Sequence, residues 1–214
     1  MNTEFGEEEV RRILEWGEIN FRNFSWRQNT TPYRVLIAEI LLRRTTASAA
    51  DRVYKNFIEK YPDLRTLSEA SEMVLASEIK RLGYNIMRSK ILKEVSESLL
   101  SRYKNIPDNL DHLISVKHIG LYIAAAILSL GYNSPLPMVD SNVIRIMSRF
   151  YGKRVSQKEC FRILESKLPT EFKTFNLILL DLGALICKPR YPLCTVCPIR
   201  KNCDFGKGNS VTSL

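Results

Sequence analysis

The chain of 214 residues contains no apolar run approaching the roughly twenty residues that a membrane-spanning helix needs. Its first residues, M-N-T-E-F-G-E-E-E, are acidic and lack the apolar core of a signal peptide, so the chain is expected inside a cell. Period-2 alternation of apolar and polar residues is absent at any useful length, which argues against half-buried strands. There is no internal repeat and no low-complexity tract. Acidic residues are in deficit: 32 Lys and Arg against 23 Asp and Glu leave 32 − 23 = +9. A basic protein of this size suits a polyanionic partner, nucleic acid first and an anionic membrane surface second.

What is present reads as all-α. With 45% hydrophobic and 26% charged residues, the chain can build one large core or two small ones. Glu7 to Asn20 is an amphipathic helix, and Phe21 to Thr31 is irregular. Pro32 opens an apolar helix at the position proline prefers, and Ala47 to Lys60 is helical up to Tyr61-Pro62. Short helices are expected at Ser68–Ala70 and Glu72–Leu82, stopped by Gly83. Asn85 to Lys104 follows, then a helix to Val116 capped by Asp108 or Asn109. Leu121 to Leu130 is nearly all apolar and should be buried. Helices from Ser141 to about Tyr151, from Gln157 to Lys167 behind Ser156, and from Glu171 to Ile186 complete the pattern.

The stretch from Asp111 to Phe150 organises the chain. It reads as helix, tight hairpin, apolar helix, extended link, and then Asp140 at the mouth of another helix. The hairpin Lys117-His118-Ile119-Gly120 ends at a helix N-terminus, where unpaired N–H groups can take a phosphate. Asp140 lies where a helix start keeps a carboxylate ionised, able to stabilise positive charge developing on a sugar; the bland reading is a plain N-cap.

Of five cysteines, Cys187, Cys194, Cys197 and Cys203 crowd the C-terminus in the spacing C-x6-C-x2-C-x5-C, while Cys160 stands apart as a buried thiol. In a reducing compartment such clustering favours metal over disulfides. By coordination chemistry alone the four thiolates can hold one tetrahedral zinc or one cube-shaped cluster.

The hairpin with an aspartate twenty residues beyond Gly120 resembles the helix-hairpin-helix, endonuclease III-like DNA glycosylases. The family hairpin L-P-G-V-G is replaced by Val116-Lys117-His118-Ile119-Gly120, so a positive φ would fall on His118. The resemblance implies two all-α lobes: a six-helix bundle at 25–133, and a second lobe from 1–24 and 134–214 carrying a [4Fe–4S] loop at 187–203. It places a DNA groove between them. It favours the iron–sulfur cluster over zinc, with the loop's Lys188 and Arg190 meeting phosphates.

The resemblance also assigns roles. Asp140 is the catalytic carboxylate. Glu39, a carboxylate inside V-L-I-A-E-I-L-L, is a base-pocket residue or else an arginine's salt-bridge partner. Tyr122 occupies the place where strand-cleaving members carry a Schiff-base lysine, so a monofunctional enzyme leaving an abasic site is expected; otherwise Tyr122 is an interfacial aromatic. Arg43 or Arg44 fills the space of the flipped nucleotide or reads the estranged guanine, unless both merely face phosphates; Tyr84 is a second wedge. Lys117, His118 and Gly120 hold the backbone.

The segment W-R-Q-N-T-T-P-Y resembles adenine glycosylases acting opposite oxidised guanine. E-I-L-L-R-R-T-T, Tyr122 and M-V-D-S-N resemble the mismatch-specific thymine/uracil glycosylases. Because the chain stops soon after Cys203, removal of T or U from T·G and U·G pairs is expected, with an adenine glycosylase or a non-catalytic DNA-binding module as alternatives. The expected partner is double-stranded DNA with a mismatched or damaged base, the protein acting as a monomer in the nucleoid-associated cytoplasm of a prokaryote, an archaeon being compatible.

Overall fold

The computed structural model describes residues 4–208, which fold into two compact units, Met1–Arg22 with Pro135–Leu214, and Asn23–Ser134. Among the described residues there is no strand, and no helix is long and apolar enough to cross a membrane.

The Asn23–Ser134 unit is built on α2 (Pro32–Leu42). Thr31 caps it through its hydroxyl, Pro32 takes the first position, and every residue from Val35 to Leu41 is buried. α3 (Ala47–Lys60) begins under Thr46 and ends at Tyr61, as its amphipathic period and the following proline dictate. α4 (Leu64–Glu69) starts earlier than the expected Ser68, because the Asp63 carboxylate accepts the Thr66 N–H at 2.8 Å. α5 (Glu72–Glu78) stops short of Leu82, the remainder tightening into a 3₁₀ turn, Lys80–Leu82, before Gly83 at φ 68°. Both short helices pack on α6 (Asn85–Tyr103), which Lys104 ends in the left-handed conformation.

Asn109, not Asp108, caps α7 (Leu110–Ile114), which gives way to the hairpin two residues before Val116. α8 (Leu121–Ala126) does not continue to Leu130 as a regular α-helix; it widens into a π-helical turn, Ile127–Gly131. There the chain meets the start of α2 so closely that a Cβ on Gly131 would lie 2.7 Å from the Pro32 Cα.

In the other unit, α1 (Glu7–Asn20) packs on α11 (Phe172–Leu185), and α9 (Ser141–Phe150) packs on α11 and α10 (Gln157–Glu165). Phe5, Ile13, Val143, Met147, Phe150, Phe175 and Leu179 fill the core. Arg22 closes α1 against α11 by donating its backbone N–H and Nε–H to the buried Asp181 carboxylate at 2.9 and 2.6 Å. A short helix, α12 (Asp204–Gly208), follows the last cysteine.

α1 and α11 approach closely because Gly17 has no side chain: a Cβ there would lie 2.1 Å from Ile178 Cδ1. Gly17→Ala is therefore expected to lower unfolding free energy by about 1–3 kcal/mol, as overpacking does, when thermal or denaturant melts are compared. An unchanged or raised midpoint would mean the helices are not held as described.

Candidate active site

The extended link before α9 is fixed at three successive points. Asn176 of α11 accepts the Met138 N–H at 3.1 Å and donates to the Leu136 carbonyl at 2.8 Å, and Gln157 donates to the Val139 carbonyl at 2.8 Å. The link delivers Asp140 to the N-cap of α9. One carboxylate oxygen accepts the Val143 N–H at 2.8 Å, and the other accepts the Asn142 side-chain amide at 2.7 Å. Asn142 is oriented in turn by Arg145, which donates to its oxygen at 2.7 Å, to the Gly183 carbonyl at 2.9 Å and to the Cys187 carbonyl at 2.7 Å. Gly183 leaves room for this: a Cβ there would sit 2.6 Å from the Asn142 Cβ.

The expectation that Asp140 ionises easily needs correction. The side chain is half-buried rather than set in an open first turn, and burial raises its pKa above the ordinary 3.8. The Val143 N–H, the Asn142 side chain and backbone, and the Arg145 charge oppose that rise without cancelling it. Cys160 is buried in α10, and burial, with the Asp140 carboxylate adding to it, pushes its thiol up to about 12.

The second group of expected site residues lies in the Asn23–Ser134 unit. Glu39, buried in α2, accepts the Tyr122 O–H from α8 at 3.3 Å, so the two form one hydrogen-bonded pair. Arg43, one turn beyond Glu39, is half-buried; its guanidinium donates to the His118 carbonyl, and burial, partly offset by Glu39, lowers its pKa. Of the two candidate wedge arginines, Arg43 is thus turned to the hairpin and Arg44 is exposed, its guanidinium carbon 5.3 Å from the Tyr84 ring centroid.

In the hairpin the left-handed position falls on His118, at φ 73°, while Gly120 is extended at φ −88° and caps α8. Glu94 of α6 makes this possible. A single carboxylate oxygen takes the Lys117 ammonium at 2.9 Å and the His118 Nε2 at 2.8 Å. The hydrogen bonds from Lys117 and His118 hold the Glu94 carboxyl at about 2. The hairpin's two basic side chains already share an internal anion, which sequence patterning did not reveal.

The cysteine loop leaves α11 at Cys187. Arg149 of α9 donates to the carbonyls of Lys188 at 2.7 Å and Pro189 at 2.9 Å and to the Cys187 sulfur at 3.4 Å. Lys188 and Arg190 are exposed. Cys187, Cys194, Cys197 and Cys203, none in a disulfide, line one small pocket with Ile146 and Leu182. Burial pushes the Cys197 thiol up to about 12 and also raises that of Cys203, whose sulfur accepts the Gly206 N–H at 3.3 Å. Among the described residues no three His, Cys, Asp or Glu side chains converge as a single ion would need. The Cys187 and Cys203 sulfurs each accept an N–H hydrogen bond, of the kind that supports a thiolate ligand.

Asn142, Arg145, Arg149 and Glu94 are the functional candidates that sequence reasoning missed. One available signal was the spacing of Arg145 and Arg149, four apart on one face of α9.

Comparison with known proteins agrees across nearly the whole chain. The thymine/uracil-DNA glycosylase of Methanothermobacter thermautotrophicus is 32% identical over 203 residues, covering 92% of each chain. The thymine-DNA glycosylase of Aeropyrum pernix is 35% identical over 206 residues, covering 91% of this chain and 92% of its own. The adenine DNA glycosylase of Buchnera aphidicola subsp. Schizaphis graminum is 34% identical, but the match spans only 57% of its length. A solved thermostable thymine-DNA glycosylase superimposes with a TM-score of 0.88 at 31% identity, over 94% of this chain and 95% of that one. Residues 37–170 match the HhH-GPD superfamily base excision DNA repair protein family, and it is to this family that the chain belongs.

Proposed function

We propose that the chain is a DNA glycosylase that removes thymine or uracil from T·G and U·G pairs and leaves an abasic site. The observation that carries this reading is Asp140, fixed at a helix start by hydrogen bonds from Val143 and Asn142, the latter steered by Arg145, while still half-buried. As the glycosidic bond breaks, its electron pair leaves on the base and the anomeric carbon becomes cationic. The Asp140 carboxylate stabilises that charge. Water then adds to the sugar, and the raised pKa of Asp140 suits it to receive the water's proton.

Tyr122 and Glu39 act on the base. The phenol can stack on a flipped pyrimidine or donate to its carbonyl oxygen, and Glu39 sets the direction of the phenol. A phenol forms no Schiff base, so the sugar–phosphate backbone is not cut by that route. Arg44 and Tyr84 serve as the wedge; Lys117, His118 and the N–H groups beside Gly120 hold backbone phosphates, as do Lys188 and Arg190. The substrate is double-stranded DNA, and the protein acts as a monomer in the cytoplasm.

The four cysteines would hold a [4Fe–4S] cluster, which when bound supplies a structural cross-link of the loop. Zinc on the same four thiolates is the alternative; the cluster is preferred because the spacing C-x6-C-x2-C-x5-C directly after a long C-terminal helix resembles that of the endonuclease III-like glycosylases. A second reading, adenine glycosylase, is favoured by the 34% identity to that relative.

Duplexes carrying a single T·G, U·G or A·8-oxoguanine pair, treated with protein and then alkali, test the reading. Strand breaks are expected at T and U and only after alkali. Cleavage confined to A would replace the proposal with the second reading, and breaks without alkali would contradict the role of Tyr122. Asp140→Asn should bind the duplex yet react about 100- to 1,000-fold more slowly in single turnover.

The pH dependence has a definite sign. A carboxyl whose folded pKa exceeds its unfolded value stabilises the fold below the unfolded value, and that contribution is lost as pH rises through the folded pKa. Catalysis needs the ionised form, so the rate should fall as pH drops through a value above 3.8. Asn142→Ala removes a hydrogen bond that lowers this pKa and should move the acid limb to higher pH; movement to lower pH would refute the assignment. For the cofactor, the purified protein should be brown, absorb near about 400 nm and contain iron and acid-labile sulfide in equal amounts. Stoichiometric zinc without iron would refute it.

A further inference from the structure

Arg44, Tyr84 and His118 take positive φ, at 50°, 46° and 73°. Bulky residues rarely adopt that region and persist there only when their surroundings over-determine it. The surroundings here are two arginines. Arg88 of α6 is 3% exposed, and its guanidinium donates to the Ile40 carbonyl at 3.2 Å and to the carbonyls of Arg43 and Gly83. Those carbonyls belong to the end of α2 and to the two turns that present Arg44 and Tyr84. The Arg43 side chain carries the chain of contacts on to the His118 carbonyl.

Arg88 donates to the carbonyls of Ile40, Gly83 and Arg43, which are neutral acceptors. A buried cation held by neutral acceptors is costly, and burial together with the neighbouring Arg43 charge lowers its pKa. Leu or Met would fill the same volume at less cost. What the guanidinium adds is geometry: a planar fork that can hold several carbonyls at once. The Arg44 guanidinium lies over the ring of Tyr84, which is 62% exposed, and both line an open recess with Ile40, Met87, Arg88 and Ile91.

We propose that Arg88 is a positioning residue that clamps the Arg43–Arg44 and Gly83–Tyr84 turns into one rigid platform, so that the stacked Arg44–Tyr84 pair enters a duplex as a single preformed wedge. The partner is double-stranded DNA at an unstacked step, and the proposal rests on the glycosylase reading for that partner alone. The clamp itself is a property of the free protein.

The experiment uses the full chain with Arg88→Met, which keeps length and removes the donors, and Arg88→Lys, which keeps charge and loses the fork. Hydrogen exchange on the free proteins should show amides at 41–46 and 82–86 exchanging roughly 10-fold faster or more in Arg88→Met, with α1 and α9 unchanged. A duplex with 2-aminopurine beside the T·G pair should brighten when saturated with the native protein. It should brighten far less with Arg88→Met or Tyr84→Ala, and excision should slow by roughly 10- to 100-fold at little-changed half-saturation.

Unchanged exchange at both turns, or a full 2-aminopurine signal with excision at the native rate in Arg88→Met, overturns the clamp. If Arg88→Met loses α1 and α9 protection as well, Arg88→Lys decides: intermediate loosening confined to the two turns supports the clamp, and native exchange there refutes it. Native protein that neither brightens nor cuts any duplex defeats the glycosylase reading while the exchange result still stands.

Discussion

A carboxylate half out of water must be kept charged by its neighbours, and the Met1–Arg22 and Pro135–Leu214 unit is arranged around that requirement. Asp140 receives N–H donors from Val143 and Asn142; Asn142 is steered by Arg145; Arg145 is anchored on the carbonyls of Gly183 and Cys187. Each link is a hydrogen bond of ordinary length, and each would leave a polar group unsatisfied if broken. The chain of contacts explains two features of the sequence at once. Gly183 of α11 makes room for Asn142, and the first cysteine follows soon after α11, where its carbonyl is the terminus of the series.

The Asn23–Ser134 unit meets a different requirement. At Arg44, Tyr84 and His118 its turns hold left-handed backbone without the glycine that would make it easy. Polar side chains from elsewhere in the unit do this work: Arg43 and Glu94 at His118, Arg88 at the turns before Arg44 and Tyr84. The rigidity is tertiary rather than local.

That division also explains what was legible in the sequence. α1 and α3 were readable to the residue, since amphipathic period and flanking breakers agreed. Pro32 and Asn109 marked helix starts by their own chemistry. The α4 start was missed because the Asp63 cap lies just behind Pro62, which reads as a break. The π-turn after α8 was invisible, since an all-apolar run fits α and π equally. At the site, the hairpin, Asp140 and the four cysteines could be found from spacing. Arg145, Arg149, Glu94 and Arg88 could not be given roles, because partners of each lie on other elements; Asn142, next to Asp140, gains its role only through the orientation Arg145 imposes. The ionisation of Asp140 was misjudged for the same reason: cap position is local, but burial is set by the packed unit.

The Glu94 brace has a further consequence. A hairpin shaped by glycine is indifferent to ionic strength, whereas this one is held by a carboxylate shared between two basic side chains near the surface, with Lys117 largely in solvent. Added electrolyte screens such a contact within about 10 Å at 0.1 M. The hairpin would lose definition as counterions rise, on top of the weakening that any phosphate-binding surface suffers under the same conditions. Brine and dilute buffer would thus present a nucleic acid with two differently ordered loops from one sequence.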